Sequence, residues 1–291
     1  MSAALNPALI RPALTGNARL AGVMGWPVGH SRSPRLHGYW LAEHGIDGAY
    51  VPLPVRPEHF ERALRALPVL GFRGANVTLP HKEAALALAD RVTPEAKRIG
   101  AANTLVIDDR GLIEARNSDA YGFIENLREG APGWRAQKGP AVVIGAGGAS
   151  RAVLVALADA GVPEIRLLNR TAHRAEALAA GLGGPIRVIS WSDRSKALEG
   201  AGLLVNATTQ GMAGEPALDL ALDRLPSDAV VNDIVYVPLE TPLLATARRR
   251  GNPVVDGLGM LLHQARPAFA AWFGVEPKVT PGLRNFVLQQ P

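Results

Sequence analysis

A buried strand that runs directly into a glycine-rich turn and then into a helix is the feature that most limits what this chain can fold into. Residues 141–144 form an apolar run, residues 145–150 include three glycines, and residues 151–160 have helical spacing. Glycines let such a turn approach a pyrophosphate, and the helix N-terminus offers N–H groups and a partial positive charge. The pattern predicts a dinucleotide site, although Ser150 replaces the last glycine of G-x-G-x-x-G. The turn alone therefore also fits a strand-to-helix connection without a ligand.

The next predicted strand indicates which dinucleotide would bind. Sites for NAD usually have Asp or Glu there, because a carboxylate accepts a hydrogen bond from the ribose 2′-hydroxyl. This chain has Asn169-Arg170-Thr171 instead, beginning 24 residues after Gly145, with Arg174 one helical turn later. A guanidinium binds a 2′-phosphate through two hydrogen bonds at once, whereas a carboxylate would repel it. The alternative is that Arg170 is a solvated charge at a strand end, but the order of strand, turn, helix and strand favours NADP.

The rest of the chain alternates strands and helices, which predicts an α/β fold. The first half has predicted strands at 20–25, 50–55, 74–79, 104–107 and 112–115, the last two forming a hairpin, and helices at 35–44, 57–67, 80–89 and 119–129. The second half has strands at 141–144, 164–168, 186–189, 203–206 and 230–234, and helices at 151–160, 172–180, 242–250 and 258–273. Residues 130–140 are either a linker between the halves or a loop that leads into the next strand.

Composition limits the chemistry further. The 291 residues include no cysteine, which excludes disulfides, thiolate ligands and a cysteine nucleophile. Residues 1–19 lack the apolar run of a signal peptide, and no stretch has about 18 consecutive apolar residues, so we expect a cytoplasmic protein. The net charge of +5 is scattered, and Arg248–Arg250 closes a predicted helix, so we expect an anionic small-molecule ligand and neither nucleic acid nor membrane. No metal-binding spacing is present, and we expect no metal.

Two segments of the first half have an unusual density of reactive side chains. Ser31 and Ser33 lie in a loop rich in glycine and proline, and Thr78 and Lys82 lie where a strand ends and a helix begins. Lysine is rare here, with five among 31 basic residues, and only lysine of the two cations can titrate near neutral pH. Taken singly, the serines fit turn chemistry, Lys82 fits a solvated charge and Asp119 fits a helix N-cap.

Considered together, these segments resemble the shikimate dehydrogenase family over nearly the whole chain. The motifs that carry the resemblance are Ser31-Arg32-Ser33-Pro34, residues 74–82, Ala102-Asn103-Thr104, Asn117-Ser118-Asp119 with Gly122, residues 145–149, Asn169-Arg170-Thr171, Asn206-Ala207-Thr208 with Gly211-Met212, residues 233–236, and residues 257–260 with Gln264. Their order along the chain is that of the family. One departure is Ser118, where the family more often has Thr; it keeps the hydroxyl.

The resemblance implies reversible reduction of 3-dehydroshikimate to shikimate with NADPH, a step of aromatic amino acid biosynthesis. It implies a substrate-binding domain of residues 1–118 plus 258–291 and a Rossmann-type, doubly wound NADP-binding domain of residues 119–257. Its implied catalytic pair is Lys82 and Asp119. The implied substrate ligands are Ser31, Ser33, Thr78, Asn103, Asp119, Tyr236 and Gln264. The implied cofactor-binding residues are Gly145, Ala146, Gly147, Gly148, Ala149, Asn169, Arg170, Thr171, Arg174, Ile234, Gly257 and Met260.

The chemistry of the side chains agrees with these implied roles. A small polyhydroxylated acid requires many short hydrogen-bonding groups, and the alkoxide left by hydride transfer requires a proton that a lysine can donate. A quinate or quinate/shikimate dehydrogenase is one alternative, although relatives of that kind often have threonine in place of Ser33 and an acidic residue that selects NAD. A non-catalytic NADP-binding sensor on the same fold is another. The sequence leaves a monomer and a homodimer equally open.

Overall fold

The computed structural model describes residues 14–289 and divides the chain into two compact units. One unit comprises Met1–Ser118 and Ala265–Pro291, and the other comprises Asp119–Gln264. The predicted lead-in without a signal peptide falls mainly on residues 1–13, which lie outside the described residues. Within residues 14–289, no helix is long and apolar enough to cross a membrane.

The first unit is built around a six-stranded mixed sheet. Its strands are β1 (Arg19–Gly25), β2 (Gly48–Pro54), β3 (Phe72–Val77), β4 (Arg91–Val92), β5 (Thr104–Ile107) and β6 (Ile113–Arg116), in the order β2-β1-β3-β5-β6-β4. Its helices are α1 (Ser33–Glu43), α2 (Phe60–Val69), α3 (Lys82–Leu88), α4 (Pro94–Ile99) and, at the end of the chain, α10 (Pro281–Leu288). Strands β1, β2 and β3 are parallel, whereas β5 and β6 form the predicted antiparallel hairpin.

The boundaries of several elements in this unit differ from the predicted ones for local reasons. Helix α1 begins at Ser33 rather than at residue 35, since Pro34 occupies a first-turn position that suits proline. Helix α4 was not predicted, because it has only 6 residues; Thr93 caps it by accepting from the Ala96 N–H. Helix α10 was also missed, and Thr280 caps it in the same way, accepting from the Leu283 N–H.

The second unit is a parallel six-stranded sheet flanked by helices. Its strands are β7 (Ala141–Ile144), β8 (Ile165–Leu168), β9 (Ile186–Ile189), β10 (Leu203–Asn206), β11 (Val230–Asp233) and β12 (Val254–Val255), in the order β12-β11-β10-β7-β8-β9. Its helices are α5 (Asp119–Gly130), α6 (Gly148–Asp159), α7 (Ala172–Leu182) and α8 (Pro242–Arg249), and α9 (Leu258–Phe273) begins in it. The chain reverses its direction of winding between β7 and β10, so this unit is doubly wound and the predicted fold class is confirmed.

The junction between the units lies at Ser118 and again within α9. The segment 130–140 lies inside the second unit, before β7. The second crossing falls at Ala265, within α9, which continues from one unit into the other without a break. The division into a substrate-binding domain of residues 1–118 plus 258–291 and a cofactor domain of residues 119–257 stays a prediction.

Candidate active site

The glycine turn follows β7 at the switch point of the parallel sheet, where ligands of doubly wound folds bind. Gly145 has φ +110°, which is a conformation that side chains rarely adopt. A Cβ added there would lie 2.8 Å from Thr208 Cγ2 and 3.0 Å from the Ala207 carbonyl oxygen, in the loop after β10. Glycine is therefore required at this position by both the backbone angle and the neighbouring loop.

The next part of the turn has the space and the donors that a pyrophosphate needs. Added Cβ atoms on Gly147 and Gly148 would meet nothing within 4 Å, so the backbone is open to a close approach. Helix α6 begins at Gly148, and the N–H groups of its first residues, Ala149 among them, have no acceptor within the helix. Ser150 is buried, and its Oγ accepts from the Gly147 N–H at 3.3 Å. These features fit a dinucleotide phosphate, and the Ser150 hydroxyl stabilises the turn from its buried side.

The predicted 2′-phosphate residues surround the connection between β8 and α7. Asn169 Nδ2 donates to the Thr171 carbonyl at 2.8 Å, which holds this short connection in shape. Arg170 and Arg174 are both exposed, and α7 begins at Ala172, so one arginine precedes the helix and the other lies in its first turn. Exposed cations at the positive end of a helix dipole suit an anionic group.

Three further predicted cofactor-binding residues lie after β11 and at the start of α9: Ile234, Gly257 and Met260. A Cβ on Gly257 would overlap the Ile234 carbonyl and lie 2.7 Å from the Val235 oxygen, so only glycine permits this contact. Met260, one turn into α9, packs with its carbonyl oxygen 2.7 Å from where a Cβ of Gly122 would stand. Ile234 and Gly257 are thus in direct contact, while Met260 faces α5. Tyr236 lies in the loop after β11 and is partly buried.

Two predicted substrate ligands lie on α5 and α9, which pack closely at Gly122. Asp119 is the first residue of α5 and is 3 % exposed. Gln264 on α9 lies against Gly122, whose added Cβ would be 2.7 Å from Gln264 Cβ. Both residues belong to the second unit, whereas Lys82 belongs to the first, and the pairing of Lys82 with Asp119 stays a prediction.

In the first unit, the two serines lie at the start of α1. The Ser31 N–H donates to the Val28 carbonyl at 3.0 Å, and Ser31 Oγ accepts from the Ser33 N–H at 3.3 Å. The loop is therefore an ordered turn as well as a candidate ligand site, and the turn interpretation does not exclude the functional one. Both side chains are partly exposed.

The segments that carry Thr78, Lys82 and Asn103 are joined by two backbone hydrogen bonds, and a third ties Thr78 to β1. The Thr78 N–H donates to Met24 O at 2.9 Å, the Val77 N–H to Asn103 O at 2.8 Å and the Ala102 N–H to Lys82 O at 2.9 Å. The end of β3, the first residue of α3 and the segment before β5 are thereby fixed against one another. Lys82 and Thr78 are partly exposed, and Asn103 is buried.

A buried set of amides and hydroxyls fixes the Asn103 side chain, and the sequence analysis missed its members Asn76 and Tyr50. Asn103 Oδ1 accepts from the Ser118 N–H at 2.9 Å and from Thr104 Oγ1 at 2.9 Å. Asn76 Nδ2 donates to the Asn103 carbonyl at 3.1 Å, while Asn76 Oδ1 accepts from the Tyr50 hydroxyl at 2.7 Å. Burial raises the pKa of Tyr50, which keeps that donor protonated. An asparagine inside an apolar strand, as Asn76 is in β3, was the available signal.

Comparison with known proteins gives the chain its family. The substrate-binding domain model of shikimate dehydrogenase matches residues 23–105, the shikimate/quinate 5-dehydrogenase model matches residues 132–214, and the shikimate 5′-dehydrogenase C-terminal domain model matches residues 257–282. A shikimate dehydrogenase (NADP⁺) from Paramagnetospirillum magneticum is 65 % identical over 94 % of this chain and 100 % of its own length. The chain belongs to the shikimate dehydrogenase family. The predicted family and enzyme class are therefore confirmed.

Two solved structures show how far the likeness extends in three dimensions. Shikimate 5-dehydrogenase from Thermus thermophilus, in complex with NADP(H) and shikimate, is 40 % identical with a TM-score of 0.82, over 92 % of this chain and 98 % of that one. Quinate dehydrogenase from Corynebacterium glutamicum, in complex with NAD, is 33 % identical with a TM-score of 0.87, over 93 % of this chain and 99 % of that one. Because both specificities occur on this fold, substrate choice has to be argued from side chains.

Proposed function

We propose that this protein catalyses the reversible, NADP-dependent reduction of 3-dehydroshikimate to shikimate in aromatic amino acid biosynthesis. The observation that carries the proposal is the identity of 65 % with a full-length shikimate dehydrogenase (NADP⁺). The geometry supports it, since each unit holds its share of the implied residues in ordered positions. The first unit is the substrate-binding domain in this proposal, and the second is the NADP-binding domain.

The cofactor would be held by three parts of the second unit. The turn at Gly145–Ala149 and the first N–H groups of α6 would bind the pyrophosphate, and Arg170 and Arg174 would bind the 2′-phosphate. Ile234, Gly257 and Met260 would line the nicotinamide, with Asn169 and Thr171 keeping the β8–α7 connection in shape. When bound, the reduced cofactor supplies a hydride to the carbonyl carbon of the substrate.

The protein's own groups would bind the substrate and move a proton. Ser31 and Ser33 would hydrogen-bond the carboxylate, and Thr78, Asn103, Asp119, Tyr236 and Gln264 would contact the hydroxyls and ring. The Lys82 ammonium would donate one proton to the oxygen that gains negative charge, and would accept it back in the reverse direction. Asp119 would orient the lysine and hold its charge near the reacting oxygen, where it can stabilise the developing negative charge. Arginine could not replace this lysine, since it does not release a proton near neutral pH.

The orientation of Asn103 gives this assignment a further detail. Its Oδ1 accepts from the Ser118 N–H and from Thr104 Oγ1, and its Nδ2 donates to Ser118 Oγ at 3.1 Å. An amide held at both its oxygen and its nitrogen keeps one orientation, so we propose that Asn103 contacts a ring hydroxyl in a fixed direction. A side chain fixed in this way discriminates against ligands that place an apolar group there.

The finer points of the proposal follow from the sequence. We propose a cytoplasmic enzyme that needs no metal and acts on a small molecule, with neither nucleic acid nor membrane as a partner, as a monomer or a homodimer. In residues 14–289 no three His, Asp or Glu side chains are grouped to hold a metal ion. Size-exclusion chromatography with light scattering would assign the oligomeric state.

The proposal is tested by steady-state kinetics with two acids and two cofactors. Purified protein is assayed by absorbance of the reduced cofactor with shikimate or quinate, each with NADP⁺ or NAD⁺. We expect the highest kcat/KM with shikimate and NADP⁺, since Ser33 and Arg170 stand where quinate- and NAD-using relatives often have threonine and an acidic residue. A preference for quinate with NAD⁺ would reject the proposed substrate, and turnover of neither acid would favour the sensor alternative.

A further inference from the structure

Three fully buried polar side chains occupy the carboxyl end of the second unit's sheet, and one of them is an acid. Asn206 ends β10, Asp233 ends β11 and Thr241 caps α8, and each is 0 % exposed. We call these three residues the Asp233 network. Acids are almost never fully buried unless they are paired, so a carboxylate at this position needs an explanation.

In the described part of the chain, the Asp233 carboxylate accepts hydrogen bonds from neutral donors. Its Oδ1 accepts from Asn206 Nδ2 and from the Val235 N–H, both at 3.0 Å, and its Oδ2 accepts from Thr241 Oγ1 at 2.7 Å. The usual partner of a buried acid is a cation, which this one lacks: in the described part of the chain, the groups that act on its pKa include no lysine or arginine.

The surrounding hydrogen bonds fix which way each partner points. Asn206 Nδ2 also donates to the Gln210 carbonyl at 3.0 Å, and its Oδ1 accepts from the Thr208 N–H at 3.1 Å, so the amide cannot be turned round. Thr241 Oγ1 accepts from the Leu244 N–H at 3.3 Å and gives its proton to Asp233. Asp233 therefore faces donors on both oxygens, which is the arrangement that satisfies an ionised carboxylate. Burial raises its pKa, and these three hydrogen bonds act in the opposite direction.

The network also shapes two loops of the candidate cofactor site. Asp233 holds the loop after β11 at both ends, through Val235 and Thr241, and that loop carries Ile234 and Tyr236. Asn206 holds Thr208 in the loop after β10 through its backbone and its hydroxyl, the latter at 2.7 Å. Thr208 in turn abuts the glycine turn at Gly145. A buried negative charge thus lies beside the residues assigned to the nicotinamide.

We propose that Asp233 is a positioning residue for the nicotinamide half of the site, and that its buried charge makes this site favour the oxidised cofactor over the reduced one. The inference rests on the proposed function, because it takes NADP as the ligand. The oxidised nicotinamide ring carries a positive charge that the reduced ring lacks. A fixed negative charge in a poorly solvated region stabilises the positive form selectively, whereas neutral contacts act on both forms alike.

The test measures binding of the two cofactor forms to the unreacted protein, in the absence of substrate. NADPH is titrated by its fluorescence and NADP⁺ by calorimetry, for the wild type and for Asp233→Asn. We expect the dissociation constant of NADP⁺ to rise more than that of NADPH, with the ratio of the two changing by roughly tenfold, because the Coulomb attraction of the carboxylate acts on the charged ring alone. Thermal melting confirms that the variant is folded.

Thr241→Val is the matched control, because it removes a neutral donor to the same carboxylate and keeps the charge and the side-chain shape. We expect it to weaken both cofactor forms by the same factor. Asp233→Ser is a second neutral variant in case Asp233→Asn does not fold. The inference would be overturned if the ratio of the NADP⁺ and NADPH dissociation constants stayed unchanged in the folded neutral variants. It would also be overturned if Thr241→Val changed that ratio as much as Asp233→Asn does. A wild type that binds neither form would instead reject the proposed function itself.

Discussion

The two units hold their candidate functional residues in opposite ways. In the first unit, Asn103 is buried and its side chain is fixed by Ser118 and Thr104. In the second unit, the candidate phosphate site consists of Gly147 and Gly148, with open space beside both, and of the exposed Arg170 and Arg174. Recognition of uncharged hydroxyls depends on donors and acceptors with a set direction, because a mismatched buried group is costly. A phosphate can be recognised by charge and by backbone N–H groups, which need only be accessible.

The first prediction is that a side chain of the first unit, Lys82, donates the reacting proton. Lys82→Ala should therefore have the largest effect on turnover of the substitutions considered. We expect kcat to fall by about 10²–10⁴, the usual contribution of a positioned acid or base, while the KM for NADP⁺ changes little. Stopped-flow and steady-state assays with shikimate measure both quantities. Lys97→Ala, on the exposed face of α4, is the matched control and should leave turnover unchanged. Full activity of Lys82→Ala would remove the lysine from the chemistry and favour a different proton donor.

The second prediction concerns the charge of the second unit. Arg170→Ala should raise the KM for NADP⁺ by about 10- to 100-fold, since hydrogen bonds to charged groups contribute roughly 1.5–3 kcal/mol, and should leave the KM for NAD⁺ almost unchanged. Assays with both cofactors at several ionic strengths measure the effect, which salt should reduce. Arg62→Ala on the exposed face of α2 is the control. An equal loss for both cofactors would show that Arg170 acts through structure and not through the 2′-phosphate.

The same contrast explains what the sequence could and could not predict. The candidate cofactor site could be predicted because glycines in a turn, and two arginines after a strand, are local sequence signals. The elements β7, β9, β10 and α9 have the predicted bounds. The orientation of Asn103 could not be predicted, since Ser118 and Asn76 contact it from segments that are distant in the sequence. The Asp233 network could not be predicted for the same reason, although Asn206 and Asp233 belong to motifs that carry the family resemblance. Short elements such as β4 and β12, with 2 residues each, carry no periodicity to detect.

Two glycines in one turn allow the backbone requirement to be separated from ligand access. Gly145→Ala should destabilise the fold by about 1–2 kcal/mol from its positive φ alone, and should weaken NADP⁺ binding roughly tenfold as the turn shifts away from Thr208. Gly147→Ala meets nothing within 4 Å, so it should keep the melting temperature and weaken only NADP⁺ binding. Calorimetric melting and cofactor titration measure the two effects. Equal destabilisation by both substitutions would contradict an open phosphate cradle.

The smallest predicted effect tests whether the fixed orientation of the Asn103 amide contributes to substrate binding. Ser118 Oγ lies 3.1 Å from Asn103 Nδ2, so Ser118→Ala removes one of the contacts that orient the amide and leaves the backbone N–H in place. A neutral hydrogen bond contributes about 0.5–1.5 kcal/mol, so the KM for shikimate should rise about two- to tenfold with little change in the KM for NADP⁺. Ser118→Thr keeps the hydroxyl and should retain the wild-type KM. An equal rise in the KM for both ligands would mean that the Ser118 contact acts through the general stability of the first unit. The distinction between a substrate site with fixed hydrogen-bond directions and an open phosphate site would then lose its main support.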